Sequence, residues 1–215
     1  MIYYIDNLSE INSDLVLKLI NLLPPRRKQQ AQRYLLKEDQ TNCAVAYHIL
    51  KYAVRREFGV EIKEDFLYDE LYHKPRCREN AEIHFSISHC KYAVACFVSN
   101  IDVGIDVEDY RSFNNINPHY ILSKEEYSYF KSCDKKLLFL AKAWTVKEAV
   151  AKCSGIGIDD SVLSTTYITD YSSGRVYHQN YYILNRWIGT KCMSICSPIP
   201  VDSTLCKLSL SSFEL

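Results

Sequence analysis

Val-Gly-Ile-Asp-Val-Glu, residues 103–108, alternates apolar and acidic side chains, whereas Leu-Leu-Phe-Leu-Ala-Lys-Ala-Trp-Thr-Val-Lys-Glu-Ala-Val-Ala-Lys, residues 137–152, is mostly apolar with Trp144, Glu148 and Lys152 spaced by four. Period two is strand, with Asp106 and Glu108 on one face and Ile105 and Val107 on the other. The second run is a helix closed by Gly155-Ile-Gly157. Working outward, residues 2–5 read as a strand and 11–23 as a helix stopped by Pro24-Pro25. Residues 26–37 form a second helix. Residues 39–58 form a longer amphipathic helix whose core face is Ala44, Ala46, Ile49, Leu50, Ala53 and Val54. The runs 83–87 and 93–99 predict a hairpin with Ser88, His89, Cys90 and Lys91 in its turn. Ser123 opens a further helix with Glu126 at capping-box spacing. Four strands are expected at 165–169, 181–185, 191–197 and 205–208. Both halves run helices then strands, so the class is α+β, built as two similar α/β subdomains meeting near Ile101. They would cover residues 1–101 and 102–215.

Composition narrows the function classes. The chain has 215 residues, with Lys+Arg and Asp+Glu both 26 and zero formal net charge. A general nucleic-acid binder would be strongly basic, so none is expected. Phosphate recognition would have to come from local clusters. Nine cysteines are an odd number without the spacing of a disulfide scaffold, and several sit in apolar runs. Cys192 and Cys196 have no partner pair, so no zinc site is expected. Free thiols fit a reduced, cytoplasmic setting. The opening Met-Ile-Tyr-Tyr-Ile-Asp lacks a signal-peptide pattern, and no apolar run has membrane-spanning length. No glycine-rich nucleotide loop and no nucleophile elbow appears.

Two carboxylates on one strand face repel each other unless a cation lies between them, and a hard divalent ion such as Mg²⁺ prefers oxygen ligands. Two solvated acids at a strand end would look the same. On the helix, Trp144, Glu148 and Lys152 recur at i, i+4 and i+8, with Lys147 beside them. This is either a surface ion pair next to a core tryptophan or a third carboxylate completing the strand pair, with two cations for phosphate. His89 is read as a hydrogen-bond donor to phosphate. Arg26, Arg27, Lys28, Arg33 and Lys37 form a basic face, and Lys74 precedes a proline.

In this order the pieces resemble the Sfp-type 4′-phosphopantetheinyl transferases. The matching text is Arg-Tyr-x-x-Lys-Glu-Asp at 33–39, His-Lys-Pro at 73–75 and His-Phe-Ser-Ile-Ser-His at 84–89. It continues with Gly-Ile-Asp-Val-Glu at 104–108 and Trp-Thr-Val-Lys-Glu-Ala at 144–149, followed by Lys152. The resemblance implies a pseudo-two-fold pair of subdomains with coenzyme A, the substrate, in the cleft between them. Residues 1–101 would be the coenzyme A side, and 102–215 would carry the metal and the catalytic helix. It maps Mg²⁺ (or Mn²⁺) onto Asp106, Glu108 and Glu148. Coenzyme A contacts map onto Arg27, Arg33, Lys74, Ser88, His89, Lys147 and Lys152. The chain departs from the family at Gln30, at Thr41-Asn42 and at His73.

The implied reaction moves the 4′-phosphopantetheine of coenzyme A to a serine of an apo carrier protein, acyl, peptidyl or polyketide, and releases 3′,5′-adenosine bisphosphate. Glu148 and Lys152 are the catalytic candidates. The base is Glu148 or a metal-bound water, with Glu126 behind them. A monomer is expected, acting in the cytoplasm and serving secondary metabolism. The rivals are a non-catalytic coenzyme A or carrier-protein binding module, and a Mg²⁺-dependent phosphodiester hydrolase.

Overall fold

A computed structural model describes residues 1–8, 11–65, 67–68, 74–168, 175–178 and 180–213, with only the backbone of 67–68 and 175–178 considered. The chain divides into two compact units, Met1–Ile101 with Asp202–Leu215, and Asp102–Val201. Each holds a four-stranded sheet with a long helix packed on it. The α+β class is as expected.

In the first unit, β1 (Ile2–Ile5) leads to α1 (Ser13–Asn21), α2 (Pro25–Arg33) and α3 (Lys37–Phe58). Asn12 caps α1 by accepting from Leu15 N at 2.8 Å. Pro25 opens α2 at a position where its missing N–H costs nothing. The second helix ends at Arg33, and Lys37 already belongs to α3. Gly59, at φ 68, closes α3 in the left-handed conformation. α3 supplies Ile49, Leu50, Ala53 and Val54 to a core with Tyr3 and Phe85.

Short strands β2 (Leu67–Tyr68) and β3 (Pro75–Arg76) pair with each other, and β4 (His84–Cys90) pairs with β5 (Ala93–Ser99). The hairpin turn is therefore Lys91-Tyr92 alone. Ser88, His89 and Cys90, expected in the turn, continue the ladder, because Ser88 is a small polar residue on the buried face and His89 is exposed.

In the second unit, β6 (Gly104–Asp109) runs into 3₁₀ turns at Tyr110–Phe113 and Pro118–Tyr120, then α4 (Lys124–Ser132), α5 (Lys136–Ser154) and α6 (Asp160–Ser164). Ser123 and Glu126 form the expected capping box on α4. Strands β7 (Arg175–His178), β8 (Tyr181–Ile188) and β9 (Lys191–Ser197) complete an antiparallel sheet in the order β6-β9-β8-β7. β7 is absent from the sequence reading. The strand expected at 165–169 does not form over residues 165–168, and residue 169 lies outside the described set. The N–H groups of Tyr167 and Ile168 donate instead to the buried Glu126 carboxylate at 3.0 and 3.3 Å. A side chain takes the donors that a sheet neighbour would have taken.

The chain end, expected in the second unit, returns to the first: β10 (Leu205–Lys207) adds to β1 in parallel. Without that strand the two units share one connectivity. A leading strand, β1 or β6, is followed by helices and then a hairpin, β4–β5 or β8–β9, whose second strand pairs antiparallel with the leading strand. All nine cysteines are free thiols. No helix among the described residues is long and apolar enough to cross a membrane.

Candidate active site

Asp106 and Glu108 sit on β6 opposite Ser194 and Cys192 of β9. Directly opposed residues of an antiparallel pair share a face. Ser194 bonds Thr145 of α5 at 2.8 Å, so this is the face that α5 covers. Asn185 of β8 donates to Ser194 at 2.9 Å, extending a polar layer beneath the helix.

From Phe139 to Cys153, every α5 side chain is buried except Trp144, Glu148 and Lys152. Those three form the stripe read from the sequence, and two of them meet the strand carboxylates. Lys152 Nζ lies 2.6 Å from Asp106 Oδ1 and 3.8 Å from Glu148 Oε2. Trp144 is half-buried against the core of the unit.

The electrostatics record an excess of negative charge. Glu108 is pushed up to about 8, first by burial, then by the Asp106 carboxylate, with Glu148 and Asp109 adding and Lys152 opposing. Burial also raises Glu148, with Asp106 adding and Lys152 opposing. Asp109 behaves oppositely. Burial works against its charged form, but hydrogen bonds from Arg111 and Thr190 hold it at about 2. It anchors the turn after β6 through contacts of 2.6 Å to Arg111 and 2.7 Å to Thr190.

Gly104 is the residue the sequence motif contained without explaining. A Cβ there would stand 1.9 Å from the Ala149 carbonyl oxygen and 2.7 Å from Cys153 N. Only glycine lets α5 cross β6 this closely, and the crossing brings Glu148 and Lys152 over Asp106 and Glu108.

Lys147 is a correction. Expected beside the phosphate cations, it is fully buried, paired with Glu126 at 2.8 Å and bonded to the Leu163 carbonyl at 2.5 Å. It points into the unit and ties α5 to α4. Glu126 is also buried, with both oxygens occupied by Lys147 and the N–H groups of Ser123, Tyr167 and Ile168. A carboxylate so enclosed cannot reach a substrate hydroxyl, which removes it as a base.

The first unit holds the other sequence candidates. A cavity of about 260 Å³ is lined by Arg27, Gln30, Tyr34, Tyr47, Pro75, Phe85, Ile87 and His89, among others. Arg27 is held by Asp65 at 3.0 Å. His89 Nδ1 lies 3.5 Å from Asn42 Nδ2, so Asn42, one of the departures, backs the histidine. When Asn42 donates to Nδ1, the Nε2 side of the ring is left to donate. Lys74 is buried next to Pro75. Ser88 is buried on the strand face opposite Phe85, Ile87 and His89, so its side chain does not share their cavity. Arg33 is exposed and stands outside the cavity lining. His73 lies outside the described residues.

No group of three or more His, Cys, Asp or Glu among the described residues is arranged as a metal cage. The donor set still suits a hard cation. Three carboxylates offer oxygen alone, and two of them have raised pKa values, first from burial and then from the neighbouring carboxylates.

Comparison with known proteins finds matches over the segment that carries these residues. Residues 102–189, containing β6 and α5, match the family described as the 4′-phosphopantetheinyl transferase superfamily. The chain is 23% identical over 143 residues to 4′-phosphopantetheinyl transferase Sfp of Bacillus subtilis (strain 168), covering 66% of this chain and 64% of that protein. It is 28% identical over 142 residues to 4′-phosphopantetheinyl transferase gsp of Aneurinibacillus migulanus, covering 62% and 58%. A shorter match, 39% over 67 residues, links 28% of the chain to 54% of a holo-[acyl-carrier-protein] synthase of Blochmanniella pennsylvanica (strain BPEN). The chain thus spans between 54% and 64% of the length of these relatives. The matched segment contains Asp106, Glu108, Glu148 and Lys152, and the chain is similar to the Sfp-type 4′-phosphopantetheinyl transferases.

Proposed function

We propose that this chain transfers the 4′-phosphopantetheine group of coenzyme A to a serine of an apo carrier protein, releasing 3′,5′-adenosine bisphosphate. The observation that carries the reading is the meeting of Asp106, Glu108, Glu148 and Lys152 where α5 crosses β6, within the segment that matches the family. The relatives' names supply the group transferred and, from the holo-[acyl-carrier-protein] synthase, the kind of acceptor.

Asp106, Glu108 and Glu148 would hold Mg²⁺ or Mn²⁺. Lys152, which rests on Asp106 at 2.6 Å, would turn to a phosphate oxygen. A bound divalent ion supplies charge neutralisation to a pyrophosphate, the main need of phosphoryl transfer. Glu148 is the base of choice. It is half-buried beside Asp106 and Lys152, and in the metal-free protein burial raises its pKa. In the transfer, the serine oxygen bonds to the β-phosphorus, the bond from that phosphorus to the bridging oxygen breaks, and the hydroxyl proton passes to Glu148. Arg27 and His89, in the 260 Å³ cavity of the first unit, would meet the nucleotide end of coenzyme A, with Lys74 behind them. A cytoplasmic enzyme fits nine free thiols, and a monomer is part of the same proposal.

The test is release of 3′,5′-adenosine bisphosphate from coenzyme A and Mg²⁺, with and without an apo carrier protein. Release that needs the carrier supports transfer. Carrier-independent release would make the protein a hydrolase, and no release with acyl, peptidyl and polyketide carriers alike would leave a binding module.

A further inference from the structure

The C-terminal half of α3 borders a second cavity of about 450 Å³, lined by Lys51, Tyr52, Arg55, Arg56 and Phe213 with His48 on its wall. No carboxylate is among the described residues that line it. Its size lies within the ordinary range for small-molecule sites, about 300–1,000 Å³. Nothing in the proposed transfer uses it. α3 runs from Lys37 to Phe58, and His89 is backed by Asn42 near the start of that helix. Lys51 and Arg56 are therefore roughly 14–21 Å further along the helix at 1.5 Å per residue.

Basic residues at a helix C-terminus have a plain structural role, offsetting the negative end of the dipole, which amounts to about half a charge. Arg55 also spends its charge on Glu61 at 2.9 Å. These two claims do not account for three cations: neither Lys51 nor Arg56 forms an ion pair among the described residues.

The wall beside them is fixed. Arg56 Nη1 donates to the Tyr52 hydroxyl at 3.3 Å, and the Tyr52 ring meets Tyr3 edge-on at 5.6 Å. Phe213, also in the lining, packs on the His48 ring at 5.7 Å. His48 Nε2 lies 3.0 Å from the Leu19 carbonyl, so that nitrogen carries the proton. Aromatic rings and cations in one lining match a ligand with a flat apolar body and an anionic end.

We propose that this cavity is a second ligand site, one that takes an organic phosphate bearing an aromatic or heteroaromatic ring. The ring lies between Tyr52 and Phe213, and the phosphate meets Lys51 and Arg56.

Phenyl phosphate is the probe, titrated into ¹⁵N-labelled full-length protein and followed by amide shifts and calorimetry. Saturable binding is expected with shifts at residues 48–56 and at Phe213. Affinity should fall at least tenfold in Lys51→Glu/Arg56→Glu and be kept in Lys51→Arg/Arg56→Lys, with the variants' thermal midpoints at the wild-type value. Arg27→Ala/His89→Ala should bind the probe as the wild type does, which separates this site from the cavity used in the proposed transfer. Inorganic phosphate or phenol binding as tightly as phenyl phosphate would overturn the two-part ligand. Unchanged affinity in the charge-reversed variant, or shifts confined to other residues, would overturn the site.

Discussion

Replacing Gly104 by alanine tests whether the approach of α5 to β6 builds the site. The added Cβ would lie 1.9 Å from the Ala149 oxygen, about 1.5 Å inside ordinary contact, so helix and strand must part by more than 1 Å. The obstacle is backbone, so trimming Ala149 to glycine gives no relief. Glycine's φ here is outside the left-handed region, so the cost is overpacking alone, about 1–3 kcal/mol or somewhat more. For a chain of this size that is a fall in thermal midpoint of about 2–4 °C per kcal/mol. The larger effect is on chemistry. Separating Glu148 and Lys152 from Asp106 and Glu108 by about 1 Å should lower carrier labelling by about 10²-fold. Circular dichroism melting and labelling rate, measured below the variant's midpoint, give both numbers. A Gly104→Ala protein that melts and labels like the wild type would refute the idea that this crossing sets the site.

Lys147→Met should cost about 3–5 kcal/mol in urea unfolding, because it strands Glu126 in the core. The double variant with Glu126→Gln should recover part of that loss. Glu108 has a raised folded-state pKa of about 8 against about 4.3 unfolded. The folded protein then binds the extra proton, so its contribution to stability is full below the unfolded value and is lost as pH rises through about 8. In chelator-treated protein, stability should decline over that window, and Glu108→Gln should flatten the decline in thermal melts across pH. Mg²⁺ titrated into weakly buffered protein at pH 7 should release protons, read by calorimetry in two buffers of different ionisation enthalpy. Asp106→Ala should abolish labelling while unfolding stays cooperative; labelling at the wild-type rate would remove Asp106 from the site.

The strand pair and the α5 stripe were legible because side-chain periodicity survives into the fold. Asp106 and Glu108 share a face by alternation, and Trp144, Glu148 and Lys152 share one by spacing of four. Lys147 was misplaced because its partner, Glu126, is distant in sequence and its burial depends on how α4 meets α5. Residues 165–168 have strand composition, but the N–H groups of Tyr167 and Ile168 are captured by that same carboxylate, which no local pattern encodes. Ser88 and His89 read as a turn because polarity masked a ladder that continues through Cys90. Gly104 stood in the motif in plain view. Its reason, a carbonyl from a helix about 45 residues later, exists only in three dimensions.

The intact mass of an apo carrier protein, before and after incubation with this chain, coenzyme A and Mg²⁺, tests the central claim most directly. The account predicts a gain of one phosphopantetheine, located on the acceptor serine by fragmentation and absent with Asp106→Ala. An unchanged mass across acyl, peptidyl and polyketide carriers, each labelled in parallel by a control transferase, would contradict it.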